Sequence, residues 1–506
     1  MSARGRAAAP EIVAVGLGPG DPGLLTREAA DWLAGDHPVY LRTRVHPTVA
    51  ALPGAAGWPS FDHLYDGATD FAALYAAIVA ALLAAARDAG RPVVYAVPGH
   101  PLVGESTVAR LRAAAAAGDA TLRLVPGVSF VDVAAVALGR DPLGEQWQLV
   151  DGLELAAAGE AEPFGGGRLP LSPLRPALIG QVYSAPVASA VKLALMRLYP
   201  DEHPVTVLRG LSAGGAGEVR AIPLHELDHG APDHLTSVYL PALPPECAVR
   251  VAQGLQAITA RLRAPDGCPW DREQTHRSIR ANFLEETCEA LDALDAGDLD
   301  AFREELGDVL LQVYLQSQIA EEAGEFTLED VYEAIATKLV RRHPHVFGDV
   351  VARDSDAVLR NWERIKAAER RAQGARRDEA AASALAGVPR SLPALARAAL
   401  TRERVSRLAG VPADEAGEAA LDAALARCRA APSDPDARDA LGAALFALAG
   451  LAAARGLDPE EALGGAIAAF SARFAALEAR LRAAGRDWAA LAPAERAALW
   501  APDPTG

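Results

Sequence analysis

The chain has 506 residues, enough for about three domains. Asp and Glu total 66 against 49 Lys and Arg, a formal net charge of −17. With no Lys/Arg-rich run to make a basic face, that balance argues against polymeric DNA or RNA as a partner. It leaves room for a small anion held by a local basic cluster or a metal.

The N-terminal stretch MSARGRAAAPEIV carries basic residues but no apolar run of the kind a secretory signal needs. From residue 11 to about 243, short β-rich runs alternate with helical ones. The predicted strands are 11–18, 92–97, 121–127, 177–182, 205–210 and 236–241, and helices are predicted between several of them, including 71–88 and 185–198. Such alternation predicts an α/β domain. Residues 71–86 are the longest uncharged apolar stretch, shorter than the ~20 residues a spanning helix needs, and read as a buried, Ala-rich helix. The Gly/Pro-rich segment 156–173 reads as an exposed connection and PALPPE (241–246) as a linker.

Beyond the linker, strand signals vanish and the pattern is helical as far as Trp500. A weak internal repeat runs through this half: 304–313 resembles 439–448, and 326–335 resembles 457–466, with 371–392 as the joint. The expected fold is therefore multidomain: an α/β domain over 11–243, then all-α repeats over 247–375 and 376–506. Cys247, Cys268, Cys288 and Cys428 lie far apart with no CxxC pair, which fits a reducing compartment. The expectation is a soluble cytoplasmic protein with no membrane partner.

Three Gly/Pro turns follow predicted strands in the first half: VGLGPGDPGLLT (15–26), VPGHPLVGEST (97–107) and VPGVSFVDVAA (125–135). Loops at the carboxyl ends of strands are where open α/β sheets bind ligands, and Gly16, Gly18 and Gly20 permit close backbone approach. The first turn lacks the lysine of a P-loop. Plain turn chemistry is the competing reading.

The acids of the second half lie in ANFLEETCEALDALDAGDLDAFREELGDVLLQV (281–313), which reads as two helices joined at Ala296-Gly297-Asp298. Residues three or four apart share a helix face, so Glu286 projects with Glu289, and Glu305 with Asp308. Leu284, Leu291, Leu306, Val309, Leu310 and Val313 form an apolar stripe beside them. A pair packed through that stripe would bring four carboxylates together, and their repulsion calls for a cation such as Mg²⁺. A solvated acidic face is the alternative. Lys338, Arg341 and Arg342 share one helix before a His-Pro break and are suited to triphosphate oxygens, though arginines there also complement a helix C-terminus. NWERIK (361–366) offers Asn361, Trp362 and Lys366, and DGCPWDREQTH (266–276) offers Trp270. Both tryptophans read first as packing residues.

GCPWDREQTH, FLEETCEALDAL, EELGDVLLQV, KLVRRHPHVFGD and NWERIK, in that order across about 260–370, resemble the MazG family of nucleoside triphosphate pyrophosphohydrolases. The resemblance implies Mg²⁺-dependent hydrolysis of an NTP to NMP and pyrophosphate, on an all-α fold that dimerises through its helical domains. It implies that Glu286, Glu289, Glu305 and Asp308 are metal ligands, with Glu285 a supporting group or base. Lys338, Arg341, Arg342 and Lys366 become phosphate contacts; Trp270, Asn361 and Trp362 position the nucleotide. The second repeat keeps the apolar pattern (Leu441, Leu445, Phe446, Leu448) but not the acids: Glu305 and Asp308 fall opposite Ala440 and Ala443, Glu286 and Glu289 opposite Ala424 and Arg427. A structural or dimerising role is expected for it.

The three Gly/Pro turns, with 181–210 and 233–241, resemble the tetrapyrrole (corrin/porphyrin) methylase family and its YabN-type branch, which is fused to MazG domains. That resemblance implies two α/β subdomains with S-adenosylmethionine between them, held by Gly16, Gly18, Pro19, Gly20 and Asp21, by Pro98, Gly99, His100 and Pro101, and by Pro126, Gly127, Val128 and Ser129. No methyl acceptor is readable. Two rival functions remain: a methyltransferase whose helical half only dimerises, and a nucleotide-binding regulator without catalysis.

Overall fold

The computed structural model describes residues 9–65, 71–159, 169–211, 217–355, 357–358, 361–362, 364–365, 368–369, 385, 388–409, 415–431 and 433–500. Contacts group the chain into two compact units, Met1–Thr337 and Lys338–Gly506.

The first unit opens with an alternating βα run: β1 (Glu11–Gly16), α1 (Arg27–Ala34), β2 (Val39–Leu41), α2 (Pro47–Ala51), α3 (Asp62–Tyr65), α4 (Phe71–Ala89), β3 (Val93–Val97), α5 (Ser106–Ala116), β4 (Thr121–Val125) and α6 (Phe130–Leu138). The strands form a parallel sheet in the order β2-β3-β1-β4. Successive side chains serve opposite faces. Ile12, Ala14, Val93, Tyr95 and Val97 pack with α4 and α5, while Val13, Val15, Val94 and Ala96 pack with α1, β2 and α2. Burial on both faces is what a parallel sheet requires and explains the near-continuous apolar strands.

A second sheet follows, from β5 (Gln148–Asp151), α7 (Gly152–Gly159), β6 (Ala177–Gly180), α8 (Ala185–Leu195), β7 (Pro204–Arg209), β8 (Glu218–Pro223) and β9 (Thr236–Leu240), in the order β5-β6-β9-β7-β8. Only β5 and β6 run parallel; the other pairs are antiparallel. α6 joins the two layers, since its Ala134, Phe130 and Val131 pack on Leu178, Leu208 and Tyr239 of the second sheet. All six predicted strands are present. β2, β5 and β8 were not predicted: the first two have three and four residues, and β8 is an exposed edge strand. The expected connection 156–173 is helical up to Gly159, and its Leu169 is buried; 160–168 lie outside the described residues.

Two expectations about apolar helices change. α4 runs to Ala89, and by length and composition it is, among the described residues, one of three helices long and apolar enough to cross a bilayer, with Asp434–Ala454 and Pro459–Ala483. Nor is α4 buried all round. Leu74, Ile78, Leu82 and Ala86, one residue per turn, lie against the sheet, while Ala76, Ala77, Ala80, Ala81 and Ala84 are exposed.

The helical part of the first unit comprises α9 (Ala252–Arg263), α10 (Pro269–Glu273), α11 (Arg280–Ala296), α12 (Leu299–Glu322) and α13 (Leu328–Arg342), the division between units falling within α13. The second unit holds helices Ala394–Ala409, Glu415–Ala430, Asp434–Ala454, Pro459–Ala483 and Pro493–Trp500.

Candidate active site: an acidic hairpin and three converging turns

α11 and α12 form the hairpin expected from the sequence. α11 stops at Gly297, whose φ of +70° is the left-handed end that glycine tolerates. Asp298 then caps α12, accepting the backbone N–H of Asp300 (3.1 Å) and Ala301 (3.0 Å). The turn thus returns the second acidic pair alongside the first.

Carboxylate oxygens of Glu286, Glu289 and Glu305 lie within 4.8 Å of one another. Asp308, one turn along from Glu305, adds its charge to both Glu286 and Glu305. None of these four acids makes an ion pair among the described residues. Partial desolvation, then the neighbouring carboxylates, push Glu286 and Glu305 above the ordinary carboxylate range. Glu285 stays exposed on the adjoining face. The donor set is all oxygen, like-charged and unpaired, which fits a hard divalent cation.

The hairpin does not close through the leucine stripe. Ala290 and Ala293 of α11 and Gln312 and Leu315 of α12 are buried, Leu315 against Ile279, while Leu306 and Leu310 remain 48% and 45% exposed and Leu284 and Leu291 are exposed as well. The reason is geometric: the acids and the leucines occupy neighbouring faces, and the acid-bearing face with its small alanines is the one turned inward.

The second unit contains a parallel case. Helices Glu415–Ala430 and Asp434–Ala454 pack as another hairpin, with Ala424 and Ala440, the counterparts of Glu286 and Glu305, both buried. Its leucines are exposed to nearly the same degree: Leu441 51% and Leu445 44%. The scaffold is kept and the four carboxylates have no acidic counterparts.

The segment before α11 is held by Arg263, a buried guanidinium. It forms a fork with Glu322 (2.8 and 2.6 Å) and donates to the carbonyls of Asp271 and Gln274 (3.1 Å for the latter). Trp270 on α10 is 58% exposed, so the packing reading does not hold for it. In the second unit, Arg341 and Arg342 both pair with Glu369, and Arg342 lies over the Trp362 ring (5.5 Å to its centre). Hydrogen bonding from Arg342 holds Glu369 below the ordinary carboxylate range. Lys338 is exposed and makes no ion pair among the described residues. Asn361 accepts from Arg364 (3.1 Å). Lys366 lies outside the described residues.

In the α/β part, the three turns converge at the carboxyl ends of β1, β3 and β4. Gly18 and Gly99 exchange backbone hydrogen bonds (3.2 and 2.8 Å). A Cβ on Gly16 would lie 2.6 Å from the Gly99 carbonyl oxygen, and one on Gly127 2.3 Å from the same atom. Gly16 and Gly127 therefore let the loops approach one another. Gly18, Gly20 and Gly99 serve by positive φ (+73°, +132° and +62°). Pro19, Pro98, Pro101, Pro126 and Val128 shape the same loops. His100 Nδ1 accepts the Leu102 N–H (3.1 Å) and Asp21 that of Gly23 (2.7 Å). Ser129 forms a capping box with Asp132 at α6, so its hydroxyl is engaged in the helix start.

Sequence reading missed Arg42 and Glu105, which form a 2.9 Å ion pair at this edge. Burial works most strongly against the charge on Arg42, but Glu105 together with Tyr65, Tyr95 and Tyr75 outweighs it and holds the guanidinium above its usual value. It also missed Gln181, at the end of β6 with φ +61°, whose amide donates to Asp151 (3.0 Å). Neither carried a motif; the partners are distant in sequence.

A family model for the MazG nucleotide pyrophosphohydrolase domain matches residues 274–347, and one for Tetrapyrrole (Corrin/Porphyrin) Methylases matches 11–227. The uncharacterized protein YabN of Bacillus subtilis is 39% identical over 393 residues, 77% of this chain and 76% of that one. A nucleoside triphosphate pyrophosphohydrolase of Escherichia coli K12 is 42% identical over 239 residues, 46% of this chain and 88% of its own length. The nucleoside triphosphate pyrophosphohydrolase/pyrophosphatase MazG of Thermotoga maritima is 36% identical over 225 residues, 44% of this chain and 84% of its own.

Proposed function

The chain belongs to the YabN-type family, a tetrapyrrole methylase-like domain joined to a MazG domain, and we propose that its first helical repeat is a Mg²⁺-dependent nucleoside triphosphate pyrophosphohydrolase. The observation that carries this reading is the set of three unpaired carboxylates, Glu286, Glu289 and Glu305, gathered within 4.8 Å on one hairpin. The hairpin of the second unit supports it, since it keeps the packing with Ala424, Arg427, Ala440 and Ala443 in place of the four acids: helix packing does not need these carboxylates, so their presence at 286–308 calls for a ligand.

Glu286, Glu289 and Glu305, with Asp308, are the residues that would hold Mg²⁺. Bound there, the ion supplies charge neutralisation at the departing pyrophosphate and a more acidic water. Glu285 is assigned the proton of the water that attacks the α-phosphoryl group. Lys338, Arg341, Arg342 and Lys366 are assigned to the triphosphate, and Trp270, exposed and unpacked, to the base, with Asn361 and Trp362 as supports. We keep 11–243, 247–375 and 376–506 as the functional modules. The exposed leucine faces of both hairpins support a homodimer that covers them. The setting assumed is the cytoplasm, with which four free cysteines are compatible.

A second reading concerns the α/β part. Three loops meeting backbone to backbone at the ends of β1, β3 and β4 form a site suited to S-adenosylmethionine, and we assign the glycine-turn residues to it without naming an acceptor.

The test is release of NMP and pyrophosphate from a panel of NTPs and dNTPs. The expected result is release with Mg²⁺ and none with excess chelator. A folded protein that binds nucleotides but releases no pyrophosphate from any of them would leave a regulator instead.

A further inference from the structure

Glu369 has no part in the reading above, yet it sits on two of the residues that reading uses. Its Oε1 accepts Arg341 Nη2 at 2.6 Å and Arg342 Nε at 3.3 Å; its Oε2 accepts Arg342 Nη2 at 2.6 Å. The Glu369 side chain is 12% exposed and that of Arg342 18%. The Trp362 ring under the Arg342 guanidinium fixes its plane. Two arginines are thus presented as a fork around one oxyanion, the arrangement that suits phosphate oxygens as well as carboxylates. Lys338, one turn earlier on α13, carries a third cation without an ion pair among the described residues.

We propose that Glu369 is a placeholder for the triphosphate: its carboxylate holds Arg341 and Arg342 in the anion-binding arrangement and is displaced when a polyphosphate arrives. This rests on assigning those arginines to the triphosphate. Its consequence is selectivity by charge. A polyphosphate with three or four negative charges outcompetes a single carboxylate for the two arginines and Lys338. A monophosphate with at most two does so poorly, so the nucleotide product is released as Glu369 returns.

The probes are inorganic tripolyphosphate and orthophosphate, titrated calorimetrically into the full chain with Mg²⁺ omitted, so that the acidic hairpin offers no cation-mediated site. Glu369→Gln keeps the shape and removes the charge. Its dissociation constant for tripolyphosphate should fall about tenfold, the scale of one charge-assisted hydrogen-bonded pair, and orthophosphate binding should become measurable. Glu369→Asp, whose shorter carboxylate reaches the two arginines less well, should lie between Glu369→Gln and wild type, and serves if Glu369→Gln folds poorly. Tripolyphosphate binding that is unchanged or weaker in Glu369→Gln would overturn the proposal and make the carboxylate a support. Arg341→Ala and Arg342→Ala separate the two levels: if neither weakens tripolyphosphate binding, the arginine assignment fails and the placeholder with it. If both do while Glu369→Gln has no effect, only the placeholder fails.

Discussion

Gly127→Ala tests whether the three turns of the α/β part act as one joint. The added Cβ would lie 2.3 Å from the Gly99 carbonyl oxygen and 2.9 Å from the Gly16 backbone, where ordinary contact begins at 3.4 Å. The carbonyl must retreat by about 1 Å, and it is the acceptor for the Gly18 N–H. Losing that hydrogen bond costs about 1 kcal/mol and the overpacking about 1–3 kcal/mol, so roughly 2–4 kcal/mol in all. For a domain of this size that is a fall of about 5–10 °C in the melting transition. Scanning calorimetry on the full chain reads the shift, and titration with S-adenosylmethionine reads the joint's function, with binding expected to be lost. Gly57→Ala, where a Cβ meets nothing within 4 Å, is the control and should match wild type. A Gly127→Ala protein that melts within about 1 °C of wild type and binds the same ligand equally well would refute the reasoning.

Three further outcomes follow from the structure. His46 is buried with an unpartnered Nδ1, and burial, then His234 and Arg42, pull its pKa down to about 4. It is neutral when folded but takes a proton near its ordinary value of about 6.5 when unfolded. Its stabilising effect is therefore present above that pH and lost as pH falls toward 4, by about 3 kcal/mol at most. Denaturant unfolding of His46→Asn across pH 7 to 4 should show a shallower loss than wild type; parallel curves would rule this out. Arg263→Ala removes a buried guanidinium that joins Glu322 to the segment before α11, at a cost of about 2–4 kcal/mol. Thermal unfolding checks the cost, and a rise in KM for the triphosphate, if Trp270 contacts the base, checks the consequence. Leu306→Glu with Leu310→Glu places two charges on the exposed face of α12, and light scattering should give half the wild-type mass if that face pairs two copies.

Much of this was legible in the sequence because it is local. The acids at i and i+3, the Ala296-Gly297-Asp298 turn and the helix cap at Asp298 lie within 33 residues, and they define the hairpin almost completely. The loss of acids at Ala424 and Ala440 was equally readable from the repeat. What periodicity does not say is which of two neighbouring faces turns inward, so Leu306 and Leu310 were expected inside and are outside. A glycine signals close approach without saying what approaches, and at Gly16 it is the Gly99 and Gly127 backbone. Arg42 with Glu105, 63 residues apart, and Glu369 with the α13 arginines are pairings of charged side chains with no motif, and only the fold brings them together.

The measurement that bears most directly on the central claim is single-turnover pyrophosphate release with saturating Mg²⁺, comparing wild type, Glu305→Ala and Asp439→Ala, the last changing an acid of the second hairpin. The acidic hairpin of the first repeat being the hydrolytic site, Glu305→Ala should fall by at least about a hundredfold while keeping the wild-type melting profile, and Asp439→Ala should match wild type. Undiminished release from a folded Glu305→Ala protein would contradict the account and move the hydrolytic site elsewhere in the chain.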